Sequence, residues 1–466
     1  MILNPQIFRE YDIRGIPGTD YDEEFANVLG RAFGSMLVER GILRASVGRD
    51  CRRSSPGLAS TLIDGLRSTG VTVVDVGMCA TPLLYFSVHH LDLQAGIQVT
   101  GSHNPADHNG FKLVVGKATI HGDDILDLQR RIQGGAFAEG EGELEHYSIT
   151  PAYRGFLAEH FGRAAAGLKV VVDSGNGTAG PVAPAVYRAM GCEVVELYSE
   201  PDGSFPNHHP DPTVEANLVD LIAAVRETGA DLGVAFDGDS DRVGVVDSHG
   251  RILWGDEMMV VFSRDILARH PGATVVSEVK CSQRLFDDIE AHGGHALMWK
   301  AGHSLLKAKM RETGALLGGE MSGHLFFADR YFGFDDGIYA GARMIEVLAR
   351  SGTGLAESIA DLPPAVFTPE IRVPCPDDAK FRLAEAARDR FRELGYDLVD
   401  VDGVRVRFDR GWGLVRASNT QPILVLRFEA PDEESLHRNR RLVEQELERI
   451  AGELGVTVGL HADGSH

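Results

Sequence analysis

One pattern returns three times along this chain and constrains its fold more than any other feature. A strand, a helix and a second strand form a βαβ unit, and each unit runs on into two strands separated by a short polar loop. In the first copy, 46–50 reads as a strand, 55–68 as a helix and 71–76 as the next strand. A helical stretch near 83–90 then leads to strand 95–99, a loop, and strand 111–115. The second copy runs through strand 168–173, helix 179–190 and strand 193–197, then helix 218–228 and the strands 231–236 and 243–247. The third uses strand 274–279, helix 283–291, strand 295–299 and helix 302–313, then 315–319 and 325–327. Strand ends in α/β sheets are where ligand sites gather, so three such domains can bring their loops to one cleft. Past Leu362-Pro363-Pro364 the pattern changes. A strand at 367–373, a helix at 378–394, strands at 404–408, 413–416 and 423–429 and a helix at 433–454 describe a smaller α+β domain with a mostly antiparallel sheet. The last residues, 460–466, read as a frayed tail.

The expected fold class is therefore α/β: three similar domains of mixed sheets and a smaller C-terminal α+β domain around a central cleft. The boundaries expected from the composition are 1–148, 149–252, 253–362 and 363–466.

The loops carry different chemistry. Thr100-Gly101-Ser102-His103-Asn104-Pro105 holds a hydroxyl on a short polar loop between two strands, a fixed mount for a nucleophile. Asp237-Gly238-Asp239-Ser240-Asp241-Arg242 alternates three carboxylates after an apolar strand, a charge density that a hard cation such as Mg²⁺ would neutralise. An EF-hand is excluded, because its sixth and twelfth positions would be Arg242 and Ser248 rather than Gly and Glu. Gly319-Glu320-Met321-Ser322-Gly323-His324 offers a carboxylate, a hydroxyl and an imidazole, groups suited to sugar hydroxyls. In the last domain, Arg416-Ala417-Ser418-Asn419-Thr420 supplies phosphate-binding groups. Lys280, and His303 beside Lys300, add cationic and titratable side chains to the third repeat. His89-His90 and His208-His209 read as structural.

The formal net charge of −22 argues against a nucleic-acid partner and an anionic membrane. An anionic substrate would need a local basic patch against that field. No apolar run is long enough to span a bilayer, and the five cysteines are scattered and odd in number. They are expected to be reduced thiols in a cytoplasmic protein.

In order, from Tyr11-Asp12-Ile13-Arg14-Gly15 to Arg416-Ala417-Ser418-Asn419-Thr420, these loops resemble those of the α-D-phosphohexomutase superfamily, most closely its bacterial phosphomannomutase/phosphoglucomutase branch. The resemblance covers nearly the whole chain. It implies a reversible interconversion of hexose 1-phosphate and hexose 6-phosphate through a phosphoserine at Ser102 and a 1,6-bisphosphate intermediate that also activates. It also implies Mg²⁺ on Asp237, Asp239, Asp241 and a phospho-Ser102 oxygen. Arg14, Lys112 and His303 would take part in the chemistry. Glu320 and Ser322 would bind sugar hydroxyls, and Arg416, Ser418, Asn419 and Thr420 the phosphate that is not transferring. Tyr11, His103, Arg242, Lys280 and His324 would line the cleft. A monomer acting on free hexose phosphates is expected. Ser240 and Gln421 depart from a more usual glycine and threonine, with side chains expected to point outward. Met321, where glucosamine-specific relatives tend to have Gln, favours mannose and glucose phosphates. The alternatives are a phosphoglucosamine mutase and, in another class, an aspartyl-phosphate phosphatase with Asp237 as nucleophile and Asp239 as acid/base. The latter is disfavoured by Asp241, where threonine or valine is expected.

Overall fold

The computed structural model describes residues 1–419 and 421–459; Thr420 and the tail 460–466 lie outside the described residues. The repeat is visible in the hydrogen bonding of the first three of four sheets. In the first, Ala95–Val99, Arg44–Arg49, Thr72–Met78 and Leu144–His146 run parallel, and Asn109–Val115 returns antiparallel with Phe111 opposite Val99. In the second, Leu232–Phe236, Lys169–Asp173 and Glu193–Leu197 are parallel, and Val243–Asp247 returns with Val243 opposite Phe236. In the third, Leu317–Gly319, Thr274–Glu278 and His295–Trp299 are parallel, and Leu325–Phe327 returns with Leu325 opposite Gly319. Each polar loop thus leaves the carboxyl end of a parallel strand and comes back beside it. Ala95–Val99 and Leu232–Phe236 are buried at every position, as strands covered on both faces must be.

Two departures from the sequence reading have local causes. The helix expected over 179–190 is only Ala183–Ala189, with Pro184 in its first turn, where proline's missing N–H and fixed φ suit a helix start. The helices Gly255–Arg269 and Gly337–Ser351 were not legible at all. Met258 to Phe262 are buried in unbroken succession, so the first shows no apolar stripe; Gly337 to Glu346 are buried likewise, with the charged Arg343 and Glu346 among them.

Those two helices explain how the first three sheets stay together. A single apolar core runs from the helix Thr81–His90 through Tyr153 and Tyr187 to Met258, Phe262, Ile338 and Tyr339. At its seam, the Asp336 carboxylate accepts hydrogen bonds from the Tyr153 and Tyr331 hydroxyls, both at 2.7 Å. The C-terminal domain has its own core, with the helices Asp377–Glu393 and Glu433–Leu454 packed on an antiparallel sheet. Among the described residues, a small cluster around Val279, Trp412 and Leu414 joins it apolarly to the third sheet.

Arg405 reinforces that small joint. Its side chain is fully buried, lies 3.6 Å from the Trp412 ring centroid, and donates to the carbonyls of Val279 and Cys281 at 2.7 Å each. Removing it orphans two buried acceptors and opens a void. Arg405→Ala is expected to weaken docking of the C-terminal domain by about 3 kcal/mol. The check is limited proteolysis across 361–370, where cleavage should be faster than in the wild type; an unchanged rate would count against the role of Arg405.

Candidate active site

Ser102 sits on a constrained mount. Its backbone φ is +49°, in the left-handed region that a residue with a side chain occupies only when its surroundings hold it there. The holding group is Arg52, fully buried, whose Nη2 donates to the carbonyls of Ser102 at 2.7 Å and Asn104 at 2.6 Å. Its Nη1 donates to those of His108, at 3.0 Å, and Pro105. Asp50 completes the clamp by accepting from Thr100 Oγ1 at 2.9 Å and the Gly101 amide at 3.0 Å. Gly101 has to be glycine, because a Cβ there would lie 2.5 Å from the Arg52 guanidinium. Neither Asp50 nor Arg52 stood out in the sequence; they end a strand that reads as ordinary.

The acidic loop meets this mount from the second domain. Ser102 Oγ donates to Asp237 Oδ2 at 2.8 Å, and a Cβ on Gly238 would come within 2.5 Å of the Ser102 carbonyl oxygen. Lys112, on the strand that returns from the serine loop, donates to Asp239 at 2.7 Å and Asp241 at 2.5 Å. Thr81 Oγ1 donates to Asp239 at 2.6 Å. The three aspartates are wholly buried, and one ligand atom from each lies within 4.8 Å of the others. Burial works against the Lys112 ammonium, but Asp239 and Asp241 outweigh it and hold its pKa above the usual lysine range. Burial, then the charges of Asp239 and Asp241, pushes the Asp237 carboxyl well up. Asp239 Oδ1 and Asp241 Oδ1 have no hydrogen-bond partner among the described residues. Three buried carboxylates, one lysine to offset them and two idle oxygens aimed into the cluster fit a hard dication such as Mg²⁺.

Ser240, expected to point outward, does the opposite. It is fully buried with φ +66°, and its Oγ lies 3.0 Å from Thr178 Oγ1. Gln421, the other departure, lines the cleft.

The cleft, about 570 Å³, is also lined by Tyr11, Arg14, Ser102, His103, Lys112, Arg242, His303 and His324. His103 lies 3.1 Å from Ser102 Oγ, and burial, with Arg242, Arg14 and Lys112 around it, drives its pKa far below the usual histidine value. Burial likewise drives His303 down, with Lys307 adding to it, so both rings are neutral. Arg242 Nε donates to His324 Nε2 at 3.0 Å, which in the neutral ring leaves the proton on Nδ1. That nitrogen faces Asp335 at 3.2 Å, and Lys307 in turn binds Asp335 at 2.7 Å. Asp335 and Lys307 were missed in the sequence. The paired acids Asp335-Asp336 were their one signal, and the pair divides its work, one carboxylate on the site and one in the core.

The remaining predicted residues form a second group. The Gly302 amide donates to Glu320 at 2.7 Å, and Ser322 Oγ to the same carboxylate at 3.2 Å. Asp402 accepts from the Ala301 amide at 3.1 Å and from Arg416 Nε at 2.9 Å. The Tyr11 hydroxyl donates to the Ala301 carbonyl at 3.1 Å and accepts from Asn419 at 2.9 Å. Ser418 Oγ accepts from the Gln421 amide at 3.2 Å. Lys280 is engaged by Glu370 at 2.7 Å, which pulls that carboxyl down to about 2. The predicted Thr420 falls outside the described residues.

Family models for the phosphoglucomutase/phosphomannomutase domains match in order: alpha/beta/alpha domain I over residues 5–139, domain II over 155–250, domain III over 254–366 and the C-terminal domain over 370–447. The chain belongs to the phosphoglucomutase/phosphomannomutase family. It is an isomerase of the phosphohexomutase class. Among its relatives, a Pseudomonas aeruginosa phosphomannomutase/phosphoglucomutase is 47% identical over 97% of this chain and 98% of that protein. A Neisseria gonorrhoeae phosphoglucomutase is 43% identical over 94% of this chain and 95% of that one. The crystal structure of a phosphoglucomutase/phosphomannomutase family protein from Burkholderia thailandensis superposes with a TM-score of 0.91 at 44% identity, covering 98% of this chain and all of the other.

Two outcomes follow for this phosphohexomutase. Ser240→Ala keeps the strained backbone and loses the contact with Thr178, and should cost about 1–2 kcal/mol. Ser240→Gly relieves about 1 kcal/mol of strain and should cost less, an ordering that thermal unfolding would test. Because Asp237 holds its proton to higher pH than usual, a bound dication must displace it. Mg²⁺ affinity by calorimetry should therefore be weaker at pH 6 than at pH 8, with proton release on binding.

Proposed function

We propose that the enzyme interconverts the 1-phosphates and 6-phosphates of mannose and glucose by way of a phosphoryl group carried on Ser102. The observation that carries this reading is the juxtaposition of a strained, clamped serine with three buried carboxylates and a lysine. It is the arrangement expected of a phosphoryl carrier beside a metal site. Sugar preference is supported by the names of the relatives in Pseudomonas and Neisseria and by Met321 in the sugar loop.

In the proposed cycle, the Arg416, Ser418, Asn419 and Thr420 loop grips the phosphate already on the sugar, and Glu320 and Ser322 accept from and orient the sugar hydroxyls. The free hydroxyl at the other end attacks phosphorus on phospho-Ser102, and the bond from phosphorus to Ser102 Oγ breaks. Arg14 and Lys112 balance the charge that spreads over the transferring oxygens. The attacking hydroxyl gives up its proton to the imidazole of His303, whose ring stacks 5.2 Å from that of His324. A magnesium ion held by Asp237, Asp239 and Asp241 would supply further charge neutralisation. The 1,6-bisphosphate then turns over in the cleft, and its other phosphate returns to Ser102. The thin joint around Arg405 supports a C-terminal domain that opens for this turn and closes again.

Incubation with glucose 1,6-bisphosphate should add one phosphate, mapped to Ser102 and stable to hydroxylamine. Ser102→Ala should take up none and lose about 10³-fold or more in turnover. Retained turnover in that variant would sink the mechanism. A hydroxylamine-labile phosphate on Asp237 would favour the phosphatase reading.

A further inference from the structure

The cleft carries two arginines that the cycle above does not use. Arg9 lies just ahead of the first sheet and Arg372 on the strand Ile371–Pro374 of the last one, so they belong to opposite walls, and both line the cleft. The cations deeper in are committed. Arg14 is bound to Asp12 at 2.6 Å and Asn104 at 2.9 Å, Lys112 to two aspartates, and Arg242 to His324. Arg372 is mostly exposed, and its nearest carboxylate is Glu370 at 4.0 Å. Arg9 makes no side-chain hydrogen bond or ion pair among the described residues, though its charge acts on Asp20.

Resting on the mutase reading, we infer that Arg9 and Arg372 retain the bisphosphate intermediate while it turns. During the turn the intermediate has let go of Ser102 and has to release the phosphate loop, so directional hydrogen bonds cannot hold it. Guanidinium groups on long, loosely held side chains can, because their attraction tolerates a change of orientation. A sugar bisphosphate carries about twice the charge of a monophosphate, so the rim favours the intermediate over substrate and product. It also works locally against the repulsive field of a chain with net charge −22. The two arginines sit on different domains and line the same cleft.

The test counts turnovers per escape. Enzyme fully phosphorylated on Ser102 is given glucose 1-phosphate with no added bisphosphate. Each intermediate that escapes leaves an unphosphorylated serine, so activity decays at the escape rate. The Arg9→Gln/Arg372→Gln double variant should lose about tenfold in turnovers before decay, each single variant less, and the corresponding lysine variants should recover most of the loss. The difference should shrink at high salt, as attraction to exposed charge does. Arg130→Gln, the same charge change as each single variant on an exposed side chain remote from the cleft, should match the wild type. A double variant that retains the intermediate as well as the wild type overturns the inference. So does one whose rate falls at saturating bisphosphate with escape unchanged. A wild-type enzyme that takes no phosphate onto Ser102 would instead overturn the mutase reading itself.

Discussion

Three carboxylates are buried within a few ångströms of one another, and that is the constraint around which this molecule is arranged. Uncompensated, such a cluster would be prohibitively unstable in a medium of low polarity. The compensation comes from a different domain. Lys112 reaches Asp239 and Asp241 from the strand that returns from the serine loop, and Ser102 donates to Asp237. One lysine does not neutralise three acids, so the apposition of the first two domains leaves a site with capacity for more positive charge. The same contacts that hold two domains together therefore define where a phosphoryl group and a dication can sit.

Precision at Ser102 has a second source. Arg52 spends its donors on four backbone carbonyls of the loop, and Asp50 holds the loop from behind. This lets a serine occupy a backbone conformation it would not adopt in a free turn. Ser240, on the opposing loop, is held in the same left-handed region. Strain thus appears on both sides of the contact, where loops from two sheets pass closely enough that Gly238 has no room for a side chain.

The C-terminal domain obeys a different logic. The first three sheets share a continuous core, whereas the fourth keeps its own core and docks through a small apolar cluster, the buried Arg405 guanidinium and polar contacts such as Lys280 with Glu370 and Ala301 with Asp402. The buried acidic cluster and the loop around Arg416 thereby belong to separately cored parts of one chain.

Much of this was legible from residue order alone. Strands such as His295–Trp299 and Val404–Phe408 and the helix Glu433–Leu454 fall where periodicity put them, and the repeated strand–loop–strand placed the serine, the aspartates and Glu320 at equivalent positions. The helix Gly255–Arg269, buried through Met258–Phe262, left no stripe and stayed hidden. The sequence by itself determined where the polar loops fall between buried strands, because the strand–loop–strand pattern is written in local residue order. Only the tertiary structure decided which groups support them: Arg52 under the serine, Asp335 and Lys307 behind the histidines, and Ser240 turned inward rather than out. Those contacts join residues 11 to 62 positions apart within one domain, and no local pattern encodes a partner that the folding-back of the chain brings into reach.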